Sequence, residues 1–273
     1  MKTALKKVFA RMLGPQGHYG WYGDFATWDE AKEKSVGYGA GNILEKVKRS
    51  ILAVKNDPAL FEKDTLLYPL YQYPYNFQTL SGFLYISQLN DNRLRVVDFG
   101  GSLGSSYFQH RRMLDHLAEL DYRVVEQNHF VETGRKELED GRLSFHDDLE
   151  DCLAAGKPDC VLFSGVLQYL EKPFDRLQEV IRYKVRFIVI DRTPFYVDRP
   201  ERITIQRIPP EYHDASLPYR IFNYAAFKEQ FLPYYSVVME SAGSDDLMVM
   251  HDKDWKEEDL RVEKRFILFQ LRK

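Results

Sequence analysis

The stretch Val96–Ser106, VVDFGGSLGSS, constrains this chain more than any other. An apolar run carries an acid, meets paired glycines, and passes into SSYFQHRRMLDHLAEL, where Met113, Leu114, Leu117 and Leu120 share one helical face. A strand that turns on glycine into a helix is the opening half of a strand–helix–strand crossover. The same texture recurs downstream. YRVVEQ, RLSFHDD, CVLFSG and RFIVIDR read as further strands, and FDRLQEVIRYK as a helix with Phe174, Leu177, Val180 and Ile181 inward. Near-continuous apolar strands separated by helices specify a mostly parallel sheet covered on both faces. After Asp191, TPFYVDRPERITIQRIPPEYHDASLPYR reads as a long proline-rich connection, in which PPEYHDASLPYR would serve as a lid, followed by a helix, NYAAFKEQFL. Two late strands, YYSVVMESA and KRFILFQLRK, flank an acidic stretch and suit an antiparallel pair at the sheet edge.

Before Leu94 the pattern is helical and aromatic. TWDEAKEKS begins with a threonine cap and acids in its first turn. GNILEKVKRSILAVKND sets Ile43, Leu44, Val47, Ile51 and Val54 at helical spacing and stops at Asp57-Pro58. LLYPLYQYPYNFQTLSGFLYISQLN reads as one or two packed helices. The expected organisation is an N-terminal helical extension over residues 1–92 and an α/β domain over 93–273. The segment MKTALKKVFARML is interrupted by Lys6, Lys7 and Arg11, so it reads as an amphipathic packing helix rather than a secretion signal.

Composition narrows the function classes. A formal charge of -3 over 273 residues argues against a dedicated nucleic-acid binder. Cys152 and Cys160 match no zinc spacing and no disulfide framework, which points to reduced thiols in a cytoplasmic protein. No stretch is long and apolar enough to span a bilayer. The histidines form no metal set, so no metal is expected.

In an open parallel sheet, ligands bind outside the carboxyl ends of the strands. The informative residues fall there: Asp98 to Gly104, then Glu126, then Asp147 and Asp148, then Ser164 and Gly165, then Asp191. Glycine lets the backbone approach a ligand closely, and helix N-terminal amides can hold a carboxylate. Glu126 can accept two hydrogen bonds from a ribose diol, and Asp147 or Asp148 one from an adenine amine. Each has a plainer reading: Glu126 as a polar strand end, the aspartates as a helix cap.

A dinucleotide loop wants G-x-G-x-x-G, and the adjacent Gly100 and Gly101 break it. The order Asp98, Gly100, Ser102, Gly104 resembles instead the first motif of class I S-adenosylmethionine (SAM)-dependent methyltransferases. With VVEQ, SGVLQYL, IDRTPF and SVGYG, the chain is similar to a bacterial family of such enzymes associated with cell-surface polysaccharide biosynthesis. The resemblance runs from about Trp21 to the end of the fifth strand, and more weakly beyond. It implies a Rossmann-like class I methyltransferase sheet with SAM as cofactor. It implies that Asp98, Gly100, Gly101 and Gly104 frame the methionine part and Glu126 holds the ribose. Asp147 or Asp148 with Leu149 would hold the adenine, and Ser164, Gly165 and Gln168 would lie beside the sulfonium. Ser102 stands where the family more commonly has glycine.

Adenine and amide N-methyltransferases commonly carry an Asn/Asp-Pro-Pro-aromatic segment where this chain has Ser164-Gly-Val-Leu-Gln-Tyr. That leaves sugar hydroxyls, other small-molecule oxygens and simple amines as acceptors. Candidates for base or orientation are Gln168, Tyr169, Arg192, Glu211, Tyr212 and His213. Of these, Tyr169, Arg192 and His213 are the catalytic expectations. Tyr38 in SVGYG closes over the cofactor, or its glycines form a turn between helices. Two other classes remain open: a nucleotide-sugar oxidoreductase, and a non-catalytic SAM-fold module in a polysaccharide assembly complex.

Overall fold

The alternation of strand and helix seen in the sequence builds the sheet. The computed structural model describes residues 20–36, 40–70, 76–208, 215–242 and 262–273. In chain order the elements are β1 (Gly20–Phe25), α1 (Trp28–Glu33), α2 (Ala40–Asn56), β2 (Leu60–Lys63), β3 (Leu66–Pro69) and α3 (Phe77–Gln88). There follow β4 (Arg93–Phe99), α4 (Ser105–Leu114), β5 (Glu119–Val125), α5 (Asn128–Glu137), β6 (Leu143–His146), α6 (Leu149–Ala154) and β7 (Cys160–Ser164). The chain ends with α7 (Pro173–Arg182), β8 (Phe187–Tyr196), β9 (Arg202–Ile208), β10 (Ala215–Asn223), α8 (Tyr224–Glu229), β11 (Tyr235–Ala242) and β12 (Glu263–Leu271).

The central sheet runs β6-β5-β4-β7-β8, all parallel. β12 lies antiparallel to β8, and β11 antiparallel to β12. This is a Rossmann-like sheet, mostly parallel, with the antiparallel C-terminal pair that the sequence led one to expect. Strand order reverses around β4 and β7, which fixes the crevice at their carboxyl ends.

Alternate residues of each strand feed two cores, as the pleat requires. Val96, Tyr122, Val124, Leu162 and Val189 face Val47, Ile51 and Val54 of α2 and Leu80, Phe83 and Ile86 of α3. Val97, Val125, Val161, Phe163 and Ile188 face Leu153, Leu177, Val180 and Phe227. Full burial of such side chains contributes about 1.5–3 kcal/mol each. α2 and α3 therefore share the cover of one face of the sheet with α4 and α5.

Three expectations need correction. Leu66–Pro69 is a strand, not part of a helix, and pairs with Leu60–Lys63 through the two-residue turn Asp64-Thr65. The turn lacks the glycine that would have signalled it. The connection after Asp191 is not strandless: β8 continues to Tyr196, and β9 and β10 form an antiparallel hairpin extended by β1, while residues 209–214 of the expected lid lie outside the described residues. The alternation in RITIQRI carries the strand, and the flanking prolines obscured it. The helix beginning at Ser105 stops at Leu114, and Leu120 belongs to β5, where Leu120, Tyr122 and Val124 share the buried face. No described helix is long and apolar enough to cross a membrane.

Candidate active site

A cavity of about 900 Å³ opens at the carboxyl ends of β4, β5, β6, β7 and β8. It is lined by Asp98, Gly100, Gly101, Glu126, Asp147, Asp148, Leu149, Ser164, Gly165, Gln168, Tyr169 and Arg192. Sequence reasoning thus assembled residues from five strand ends that the fold does bring together. Gly104 is the exception. It takes φ +85° as the N-cap of α4 and packs toward Leu143, away from the wall. Tyr38, Glu211, Tyr212 and His213 lie outside the described residues.

The glycine loop is built for close approach. Gly100 has φ +72°, and a Cβ there would meet Val166 Cγ2 at 2.4 Å. A Cβ on Gly101 would meet Asp98 Oδ2 at 2.6 Å. Neither position tolerates a side chain. Ser102 is also left-handed, φ +56°, so this serine carries strain that glycine would not. Asp98 is 1% exposed beneath the loop and accepts a 2.8 Å hydrogen bond from the Tyr122 hydroxyl. Burial pushes its carboxyl up to about 7, against the pull of that bond and of Arg192.

Glu126 follows β5, and its Oε2 accepts from the Gln127 N–H at 2.8 Å. Burial raises this carboxyl as well. Asp148 is the N-cap of α6, accepting from Asp151 N at 3.0 Å. Asp147 pairs with Arg135 at 3.1 Å. The capping role expected for one of the two aspartates therefore falls to Asp148, and both still face the cavity. Gln168 is 4% exposed, with Oε1 lacking any partner among the described residues. A buried polar atom on a cavity wall with no partner calls for a donor from a ligand.

Arg192 is delivered by a bulge. Thr193 pairs with Arg265 and Ile190 with Ile267, so Asp191 and Arg192 together oppose one residue of β12. Arg192 takes φ +51° there, a costly conformation for a residue with a side chain. Its guanidinium lies over Gly165, where a Cβ would come within 3.2 Å of it. Its Nε donates to Ser164 Oγ at 3.2 Å, and Asp64 stands at 3.7 Å. Ser164 in turn donates to Asp191 Oδ2 at 2.6 Å.

Two groups of lining residues had no sequence signal that drew notice. The first is Gln206 and Tyr219 on β9 and β10. Tyr169 donates to Gln206 Oε1 at 2.7 Å and meets Tyr219 edge to face at 5.2 Å. The second is Glu62, Asp64 and Thr65 on the β2–β3 hairpin. The first went unnoticed because β9 and β10 were read as a connection, and the second because residues 59–65 carried no reading and β3 was read as helix.

No family model and no curated protein matches the chain. Solved structures do resemble it at low identity. The N-terminal domain of EvdMO1, solved in the presence of S-adenosylhomocysteine and D-fucose, is 13% identical with a TM-score of 0.48, over 84% of this chain and 97% of that one. Magnesium protoporphyrin IX methyltransferase from Synechocystis PCC 6803 with bound S-adenosylhomocysteine is 14% identical with a TM-score of 0.46, over 72% and 82%. The 1,6-didemethyltoxoflavin N1-methyltransferase of Burkholderia thailandensis is 12% identical with a TM-score of 0.45, over 72% and 79%. At such scores nothing about this chain's ligand or acceptor follows from them.

Proposed function

We propose that this chain is a SAM-dependent methyltransferase that methylates an oxygen, less readily a nitrogen, of a sugar or related small molecule in cell-surface polysaccharide biosynthesis. The observation that carries the reading is the convergence on one cavity of a glycine cradle, Glu126, the Asp147-Asp148 pair and the partnerless Oε1 of Gln168. These groups match the three parts of SAM in chemistry and in order along the sheet. The cradle admits the amino-acid end. Glu126 offers acceptor oxygens to a diol. Asp147 or Asp148, beside the apolar Leu149, suits an aminated purine. Residues 1–92 serve as the cover and 93–273 as the SAM-binding part.

Bound SAM supplies an electrophilic methyl carbon on a sulfonium. In the displacement the methyl would pass to the acceptor's lone pair with S-adenosylhomocysteine leaving, and a hydroxyl acceptor's proton would pass to solvent. The chain's residues align this displacement and exclude water. Tyr169 commits its proton to Gln206 and so orients rather than abstracts. Arg192, charged and rigidly placed over Gly165, fixes a polar or anionic group of the acceptor. The edge-on tyrosines 169 and 219 give a partly apolar wall beside hydrogen-bonding groups, the mixture a sugar ring presents in turn.

Calorimetric titration tests the reading. S-adenosylhomocysteine should bind the wild type and NAD should not. Absence of heat and of any thermal shift with both SAM and S-adenosylhomocysteine would remove the cofactor assignment, and saturation by NAD would revive the oxidoreductase.

A further inference from the structure

The β2–β3 hairpin brings a carboxyl to the cavity that the fold leaves without a full set of partners. Glu62 is 2% exposed and lines the cavity. Its Oε1 accepts from the Thr65 N–H at 2.8 Å, while Oε2 has no hydrogen-bond partner among the described residues. Burial raises this carboxyl, while the hydrogen bonds it accepts from the Thr65 N–H and the Ser105 hydroxyl, and the charge of Arg192, oppose that rise. The position is held firmly. Gln109 of α4 donates to the Glu62 carbonyl at 2.7 Å, and Ser50 of α2 donates to the Thr65 carbonyl at 2.5 Å. Asp64 and Thr65 both take positive φ, 50° and 71°, a strained two-residue turn that places Asp64 beside Arg192. A buried carboxylate oxygen with no partner is expensive unless a ligand supplies a donor, best of all a charged one.

Ser105 and Ser106, which also line the cavity, begin α4, and the N-cap of that helix is Gly104, which offers no side chain to its free N–H groups. An anionic ligand group is the natural occupant of such an end. An α-amino acid carries its ammonium one atom away from its carboxylate. With the carboxylate on α4, the ammonium requires an acceptor close to Ser105, which is where Glu62 stands. Asp98 is less suited: it already receives the Tyr122 hydroxyl and lies beneath the backbone of Gly101.

We propose that Glu62 accepts a hydrogen bond from the α-ammonium of the cofactor's amino-acid end, so that the N-terminal hairpin completes a cofactor site otherwise built from the strand ends. This rests on the methyltransferase reading above. The same chemistry, a donor to Glu62 Oε2, is also available from a hydroxyl of the methyl acceptor, and two ligands separate the sources. S-adenosylhomocysteine has the amino-acid end, and 5′-methylthioadenosine lacks it.

Both are titrated into the wild type, Glu62→Gln and Glu62→Asp. The assignment expects Glu62→Gln to weaken S-adenosylhomocysteine at least 10-fold and to leave methylthioadenosine within about twofold. Glu62→Asp keeps the charge but draws it back, and should give a smaller loss confined to the same ligand. It replaces the glutamine variant should that one fail to fold. Unchanged affinity for S-adenosylhomocysteine, or an equal fall for both ligands, overturns the assignment, and the first of these gives the carboxyl to the acceptor. A wild type that binds neither ligand overturns the methyltransferase reading and this assignment with it.

Discussion

The glycine loop after β4 and the β2–β3 hairpin line the same cavity but are built by opposite means. The loop turns on Gly100 and Gly101, where Val166 and Asp98 leave no room for a Cβ, and its one acid, Asp98, is hidden beneath it. The hairpin uses ordinary side chains throughout, accepts backbone strain at Asp64 and Thr65, and presents its acids to the cavity. The first is a cradle and the second a clasp. A cradle fails when bulk is added. A clasp fails when a specific group is removed, and it gains stability when its strain is relieved.

The largest expected effect breaks the cradle. Gly101→Ala sets a Cβ 2.6 Å from Asp98 Oδ2, and should lower the melting transition and weaken S-adenosylhomocysteine at least 100-fold by calorimetry. Retained binding would mean that the loop does not meet the ligand.

The next probes the acid under the cradle. Asp98 has a folded-state value of about 7, above the usual carboxylate range, so the folded state holds its proton more tightly than the unfolded chain does. Stability from this group is greatest at low pH and is lost as pH rises from about 4 toward 7. At roughly 1.4 kcal/mol per pH unit, the wild type should lose about 2–3 kcal/mol between pH 5 and pH 8 that Asp98→Asn does not lose. Parallel curves from urea unfolding at the two pH values would contradict the buried acid.

Glu126→Ala tests the far side of the cradle. Loss of hydrogen bonds to a charged group costs about 1.5–3 kcal/mol, so affinity for S-adenosylhomocysteine should fall on the order of 10- to 100-fold by calorimetry. Methylthioadenosine, which keeps the ribose, should fall by the same factor. An effect on one ligand alone would move Glu126 off the ribose.

The smallest effects compare strain in the two regions. Thr65→Gly in the hairpin and Ser102→Gly in the loop each relieve a left-handed backbone. Each should stabilise the fold by about 0.5–1 kcal/mol in urea unfolding, with the β-branched Thr65 giving the larger gain. Destabilisation at either site would show that the side chain's own contacts outweigh the strain.

The contrast between cradle and clasp also explains what the sequence disclosed. The parallel sheet and its strand ends were legible because apolar runs, glycine turns and helical faces each follow a local rule. Asp98, Glu126, Ser164 and Gly165 could be placed for the same reason: a strand's end is a local property. The hairpin was not legible. LFEKDTLLYP has the alternation of a hairpin but no glycine or asparagine at its turn, and aromatic residues around it favoured a helical reading. The hairpin's strain is held by contacts from Ser50 and Gln109, distant in sequence, which no local pattern announces. Arg192 was a candidate, but the bulge that aims it depends on register against β12, more than 70 residues later. β9 was hidden by the prolines that flank it, Pro200 and Pro209, and β10 by Pro218 within it.

A structure of the protein grown with S-adenosylhomocysteine tests the central claim most directly. The account predicts the ribose diol within hydrogen-bond reach of Glu126, the purine beside Leu149 with Asp147 or Asp148 at its amine, and the amino-acid end between Gly100–Gly101 and Glu62. A ligand bound away from the carboxyl ends of β4 and β5, or crystals that hold none at saturating concentration, would contradict it.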